Sequence, residues 1–213
     1  TFDISSDRPV LKSITEIRHS DFTSSFTDGV LYGWGGGATV NVTDLRSAAP
    51  SVRQIEIPSI TNNTARSLEG VTGAGNRLYA FVRVPVESIF EDSRRLEVYD
   101  ISGPEPRFLN SVRGGYRNMK VVGQLLFAPP SIFDVSGETP IEVANLPYFI
   151  NILDVNGARV LAATTQQGLR IIDISDPKRP KLTSTLFDSI GYSEARWAGQ
   201  YIFTTGLGLG VLD

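Results

Sequence analysis

One phrase recurs along this chain: a few strand-forming residues, an Asp or Asn, a β-branched residue, Ser or Thr, a turn carrying proline, and then a second strand. It is clearest as LRIIDISDPKRPKLTSTL (169–186). It returns as TFDISSDRPVLKSI (1–14), TVNVTDLRSAAPSVRQIEI (39–57), LEVYDISGPEPRFLNSV (96–112) and SIFDVSGETPIEVANL (131–146). With the acid or amide as ruler, the anchors are Asp3, Asn41, Asp100, Asp134 and Asp173, in steps of 38, 59, 34 and 39, and the closing GLGVLD sets Asp213 40 residues after Asp173. A fixed period of this size means one supersecondary unit per repeat, which buries its apolar surface only by stacking on its neighbours.

A second phrase keeps the same beat. GYRNMKVVGQLLF (115–127) and GYSEARWAGQYIF (191–203) match at Gly, Tyr, Gly, Gln and Phe and lie 76 residues, or two periods, apart. Within a period the pattern is strand-like, and no segment sustains a 3.6-residue apolar period. Residues 149–187 read as four strands: INILDV, a turn at Asn156 and Gly157, ARVLAATT, a turn at Gln167 and Gly168, LRIIDIS, the proline turn, and KLTSTLF. Four antiparallel strands per repeat is the blade of a β-propeller, whose stacked sheets are buried on both faces; hence the adjacent Ile171 and Ile172.

GLRIIDISDPKRPKL, LEVYDISGPEPRFL and the GY…GQ…F phrase resemble the LVIVD repeat, a propeller-type repeat common in exported or surface-associated bacterial and archaeal proteins. The resemblance implies an all-β propeller of about five four-stranded repeats over residues 1–213, and an extracellular, periplasmic or cell-surface setting. It carries no shared reaction or catalytic residue, and fold analogy does not supply one. Asp3 and Asp213 both fall at the end of a third strand and would compete for one place in a closed five-blade ring. The expectation is therefore part of a ring of six to eight blades completed by a longer chain or a partner chain, with a five-blade ring and a displaced terminus as the alternative.

Composition removes several functions. The 213 residues contain no cysteine, which excludes disulfides, thiolate catalysis and Cys-ligated metal. A net charge of -3 without a Lys/Arg block argues against nucleic acid. No apolar stretch is long enough to cross a bilayer, and the N-terminal residues have no signal-peptide pattern.

Asp3, Asp100, Asp134 and Asp173 recur once per blade, which fits side chains that accept backbone N–H bonds and set the proline turn rather than a ring of cation ligands. No run of alternating oxygen ligands suggests a metal loop. His19 is the single histidine, so no His triad or multi-His site can form within the chain. Gly33, Gly35, Gly36 and Gly37 lack the GK[ST] of a phosphate loop and read as a tight turn around Trp34. No catalytic residue, metal site or cofactor is assigned.

Binding is expected at two places. The long repeat carries an insertion at 84–95, where Glu87, Glu91 and Asp92 stand against Arg94 and Arg95, either to pair with a partner or as a solvated flap. Tyr116, Tyr148 and Tyr192, beside Arg117, Asn118, Asn151 and Glu194, open the first strands of successive blades and would converge at one mouth of the central channel. The same recurrence also suits a packing position. Asn41 and Asn62 begin Asn-X-Thr glycosylation patterns, Asn41 within a strand and Asn62 within a loop. The expected function is a non-enzymatic interaction module binding protein or glycan through loops. The alternatives are an enzyme with its site at the channel mouth, and a structural element of a surface layer or filament.

Overall fold

The computed structural model describes residues 2–3, 10–11, 23–46, 50–62, 65–85, 94–114, 118–146, 151–164, 168–186, 194–205 and 209–212. A two-stranded pair, β1 (Phe2–Asp3) and β2 (Val10–Leu11), comes first. The first blade is β3 (Thr23–Thr27), β4 (Val30–Trp34), β5 (Thr39–Asp44) and β6 (Ser51–Glu56), followed by a helical turn, α1 (Pro58–Thr61). The second is β7 (Ser67–Ala74), β8 (Arg77–Arg83), β9 (Arg94–Asp100) and β10 (Arg107–Arg113). The third is β11 (Lys120–Val122), β12 (Leu125–Ala128), β13 (Ser131–Asp134) and β14 (Ile141–Asn145). The fourth is β15 (Asn151–Asn156), β16 (Arg159–Thr164), β17 (Gly168–Asp173) and β18 (Lys181–Leu186). The fifth has three described strands, β19 (Glu194–Ala198), β20 (Tyr201–Thr205) and β21 (Leu209–Leu212). Each sheet is an antiparallel meander in chain order.

Local sequence sets the hairpins. The first and second strands of all five blades are joined by two-residue turns: Asp28–Gly29, Gly75–Asn76, Gly123–Gln124, Gly157–Ala158 and Gly199–Gln200. In each the glycine takes a φ between 55° and 78°, the left-handed backbone that a twist-matched tight hairpin needs. A tight turn of fixed length also fixes register, and therefore which residues face the next blade.

The refrain's acid closes the third strand. Ser102 N donates to Asp100 Oδ1 at 2.9 Å, Ser136 N to Asp134 Oδ1 at 2.8 Å and Ser175 N to Asp173 Oδ1 at 2.8 Å. In the first blade this place belongs to Asp44, whose Oδ1 takes Arg46 N at 2.9 Å. Asn41, the expected anchor, stands three residues earlier inside β5, where its Oδ1 accepts a bond from Gln54 Nε2. Both residues of TVNVTD suit the sequence pattern, but only Asp44 reaches the end of the strand. The residue after each Asp then donates back to the neighbouring two-residue turn: Leu45 to Gly29 O, Ile101 to Asn76 O, Val135 to Gln124 O and Ile174 to Ala158 O. Asp3 ends β1 and faces Val10, as Asp173 faces Lys181. Asp213 lies outside the described residues.

Stacking supplies the core. The first strands of neighbouring blades lie against one another, β3 on β7, β7 on β11 and β15 on β19, so they are the inner strands. Four apolar clusters fill the clefts between successive blades. β8, β9, β12, β13 and β17 are mostly buried, while no residue of β10, β14 or β18 is. Each of these outer strands carries a bulge, near Leu109, Val143 and Thr183, an irregularity that makes an edge a poorer template for stray pairing.

Two arginines lock blade to blade beside the Asp turns. Arg53 of the first blade donates to the carbonyls of Ile101 (2.7 Å), Gly103 and Pro104 (3.1 Å) in the second. Arg77 of the second donates to those of Val135 (2.8 Å) and Gly137 in the third. Nearby, the Tyr32 ring packs against Gly73 of β7, with no room for a side chain. A Cβ there would come within 2.5 Å of Tyr32 Cζ and 2.8 Å of the Arg77 carbonyl.

Two outcomes follow. Gly73→Ala is expected to destabilise the chain by roughly 1–3 kcal/mol, since neither backbone nor a fully buried ring can retreat cheaply; denaturant unfolding measures it. Hydrogen bonds from backbone N–H groups hold the Asp134 and Asp173 carboxyls below their usual range and Asp100 at about 2. A carboxyl depressed on folding stabilises above its unfolded pKa of about 3.9 and loses that contribution as pH falls through its folded value. The turns should therefore weaken between about pH 4 and pH 2. At neutral pH, Asp173→Ala should lower the melting temperature more than Asp173→Asn, which keeps an acceptor oxygen. Equal losses for the two variants would show that the side chain does not set the turn.

Candidate functional site

The sheets have two unlike ends. The Asp turns and the two-residue turns share one end, where bonds among neighbouring backbone groups close the chain. The other end carries the connectors between blades and the links between second and third strands. There Trp34 Nε1 donates to Gly37 O at 3.1 Å, closing the glycine-rich stretch into the expected tight turn.

Toward this connector end each third strand places a polar residue three before its Asp: Asn41, Glu97, Ser131 and Arg170. Glu97 is only 2% exposed and forms the most developed cluster. Ser59 Oγ and Tyr99 OH each donate to its Oε2 at 2.6 Å, and Arg66 pairs with Oε1. Burial, together with the neighbouring carboxylate that its hydroxyl bonds, pushes the Tyr99 pKa up, so the phenol stays protonated and donates. Ser59 lies in α1 and Arg66 just before β7, so the cluster ties the connector between the first two blades into their cleft. A carboxylate with both oxygens occupied in this way is a poor base or nucleophile and a good staple.

A second polar line runs along the inner strands. Lys120 of β11 pairs with Asp154 Oδ1 at 2.5 Å, and Asp154 Oδ2 takes Trp197 N at 2.9 Å, linking the third, fourth and fifth blades. Asn118 Nδ2 donates to Asn151 Oδ1 at 2.8 Å, and Ser25 Oγ meets Thr72 Oγ1 at 2.8 Å between the first two blades. Among the described residues no three His, Asp or Glu side chains gather to hold a metal ion. No helix among them is long and apolar enough to cross a membrane.

The expected binding residues Tyr116, Arg117, Tyr148, Tyr192, Glu87, Glu91 and Asp92 lie outside the described residues, as does His19. The described strand ends on either side of the three tyrosines, Arg113 and Lys120, Asn145 and Asn151, Leu186 and Glu194, all stand at the connector end. The inner strands begin at Lys120, Asn151 and Glu194, two to four residues beyond those tyrosines. Asn118 and Asn151, expected beside them, are joined to each other. The Glu97 cluster escaped sequence reasoning. Its signal was a charge inside LEVYD, a strand with both faces buried, as Arg170 is inside LRIID.

No protein-family model matches the sequence, and no curated protein matches it. Solved structures share its fold, two of them as follows. The computationally designed Ika8 protein aligns at 9% identity over 88% of this chain and 56% of its own, with a TM-score of 0.54. BamB from Moraxella catarrhalis, a β-propeller, aligns at 12% identity over 88% and 56%, with a TM-score of 0.52. The chain thus has a β-propeller fold and spans just over half the length of these two structures.

Glu97→Ala should cost about 3–5 kcal/mol in equilibrium unfolding, because it leaves Arg66 partly buried without its counter-charge. Arg66→Met combined with Glu97→Leu should recover much of that loss, as expected of a staple rather than a reaction centre.

Proposed function

We propose that this chain is a non-enzymatic interaction module of an exported or cell-surface protein, related to the LVIVD-repeat proteins. Its loops at the connector end recognise a protein or glycan. One observation carries the reading: among the described residues, charged groups at that end are already engaged within the scaffold, Glu97 by Arg66, Ser59 and Tyr99 in the first cleft, and Lys120 by Asp154 near the axis. The scaffold is held rigid by those pairs, and variation is left to the segments that leave and enter the sheets.

Segment 86–93 is the first to test, since it exceeds the refrain and carries Glu87, Glu91 and Asp92. The chain is presented to a glycan array and to extracts of its host's envelope. The same chain with 86–93 replaced by Asn-Gly is compared after its melting curve is shown unchanged. Binding to a specific glycan or protein that drops at least tenfold with the short turn supports the proposal. Binding indifferent to the exchange, or absent from both arrays and extracts, refutes it.

A further inference from the structure

Of the outer strands β6, β10, β14 and β18, the last three carry bulges, whereas β6 pairs with β5 along its whole length, from Asp44↔Ser51 to Thr39↔Glu56, without a shift. It is the last strand of its sheet, because the chain leaves it through α1 for the next blade. A regular, unbulged edge is the kind that templates another strand. The ladder fixes which of its backbone groups are on offer. Ile57 N donates to Ala38 O at 2.9 Å, and the register continues this bonded pair to Val40 with Ile55, Val42 with Arg53 and Asp44 with Ser51. Bonded and non-bonded pairs alternate in an antiparallel ladder, so the N–H and C=O groups of Val52, Gln54 and Glu56 point away from β5. Among the described residues no other strand pairs with β6.

An antiparallel strand of the same sequence, related by a two-fold axis through Gln54, meets all three of these residues. It sets Val52 opposite Glu56 of the other copy, Gln54 opposite its own counterpart and Arg53 opposite Ile55, so no two like charges face each other. Centring the axis on Arg53 instead would bring two arginines together in a non-bonded pair, where side chains come closest and like charges oppose pairing. We propose that β6 pairs in this way with β6 of a second copy of the chain, joining two four-stranded sheets across a closed two-fold interface. Antiparallel pairing lays the connector end of one copy beside the Asp-turn end of the other, so the two connector ends of the dimer face opposite ways.

Sedimentation over a concentration series should show a monomer–dimer equilibrium, and amide exchange at 52, 54 and 56 should slow as the dimer forms. Gln54→Pro removes an N–H that points outward, a place where an edge strand tolerates proline, so it should give a folded monomer at every concentration. Gln54 is exposed, so Gln54→Lys and Gln54→Glu should keep the melting curve of the dilute monomer. Each alone should weaken dimerisation roughly twofold to fivefold, and an equimolar mixture of the two should restore it through the opposite charges at the axis. Three results would overturn the proposal: a chain that stays monomeric at every concentration, a dimer indifferent to all three variants, or a Lys/Glu mixture no tighter than either variant alone.

Discussion

A carboxylate oxygen accepting the amide two residues ahead is the bond on which the remaining order rests. It ends the third strand at Asp44, Asp100, Asp134 and Asp173 and turns the chain so that the next residue bonds back across the sheet. That return fixes where the outer strand begins. It also presents the carbonyls of Ile101, Gly103, Val135 and Gly137 outward, where Arg53 and Arg77 of the preceding blades capture them. Local turn chemistry and blade stacking are therefore not independent. Removing the Asp loosens the acceptors on which the neighbouring blade depends.

What the sequence reveals follows the range of the interactions involved. The blade pattern, the two-residue turns and the Asp turns are encoded within a few residues each, and they can be read from the refrain. Asn41 and Asp44 show the limit of that reading: two candidates three residues apart satisfy one pattern, and the pairing of Asp44 with Ser51 decides between them. The Glu97 cluster joins residues 31 and 38 positions apart, so nothing local connects Ser59 or Arg66 with Glu97 until the sheets are stacked. A charge inside a run buried on both faces was the visible trace of it. The Tyr116, Tyr148 and Tyr192 series recurs once per blade, but recurrence alone does not distinguish a binding ring from a packing ring.

The polar links between blades divide into two kinds with different tasks. Arginine-to-carbonyl bonds sit beside the Asp turns and join pieces of backbone whose positions are already set. Ion pairs and amide contacts toward the connector end join side chains from segments of unequal length, such as the connector holding α1. Buried pairs of that sort add little net stability compared with apolar packing, yet they penalise wrong pairings heavily. This suits clefts that must select the correct neighbour from several similar sheets.

The two-residue turns impose a further consequence. With five hairpins of identical length and the Asp turns crowded onto one end, an added residue there would shift the register of a whole strand and reverse which side chains it buries. At the opposite end the Pro129–Pro130 link between β12 and β13 is as tight, but the remaining links and connectors vary in length. Drift, duplication and acquired peptides can accumulate there without disturbing the sheets, so the molecule is conservative on one side and permissive on the other. A tag or foreign epitope belongs on the permissive side.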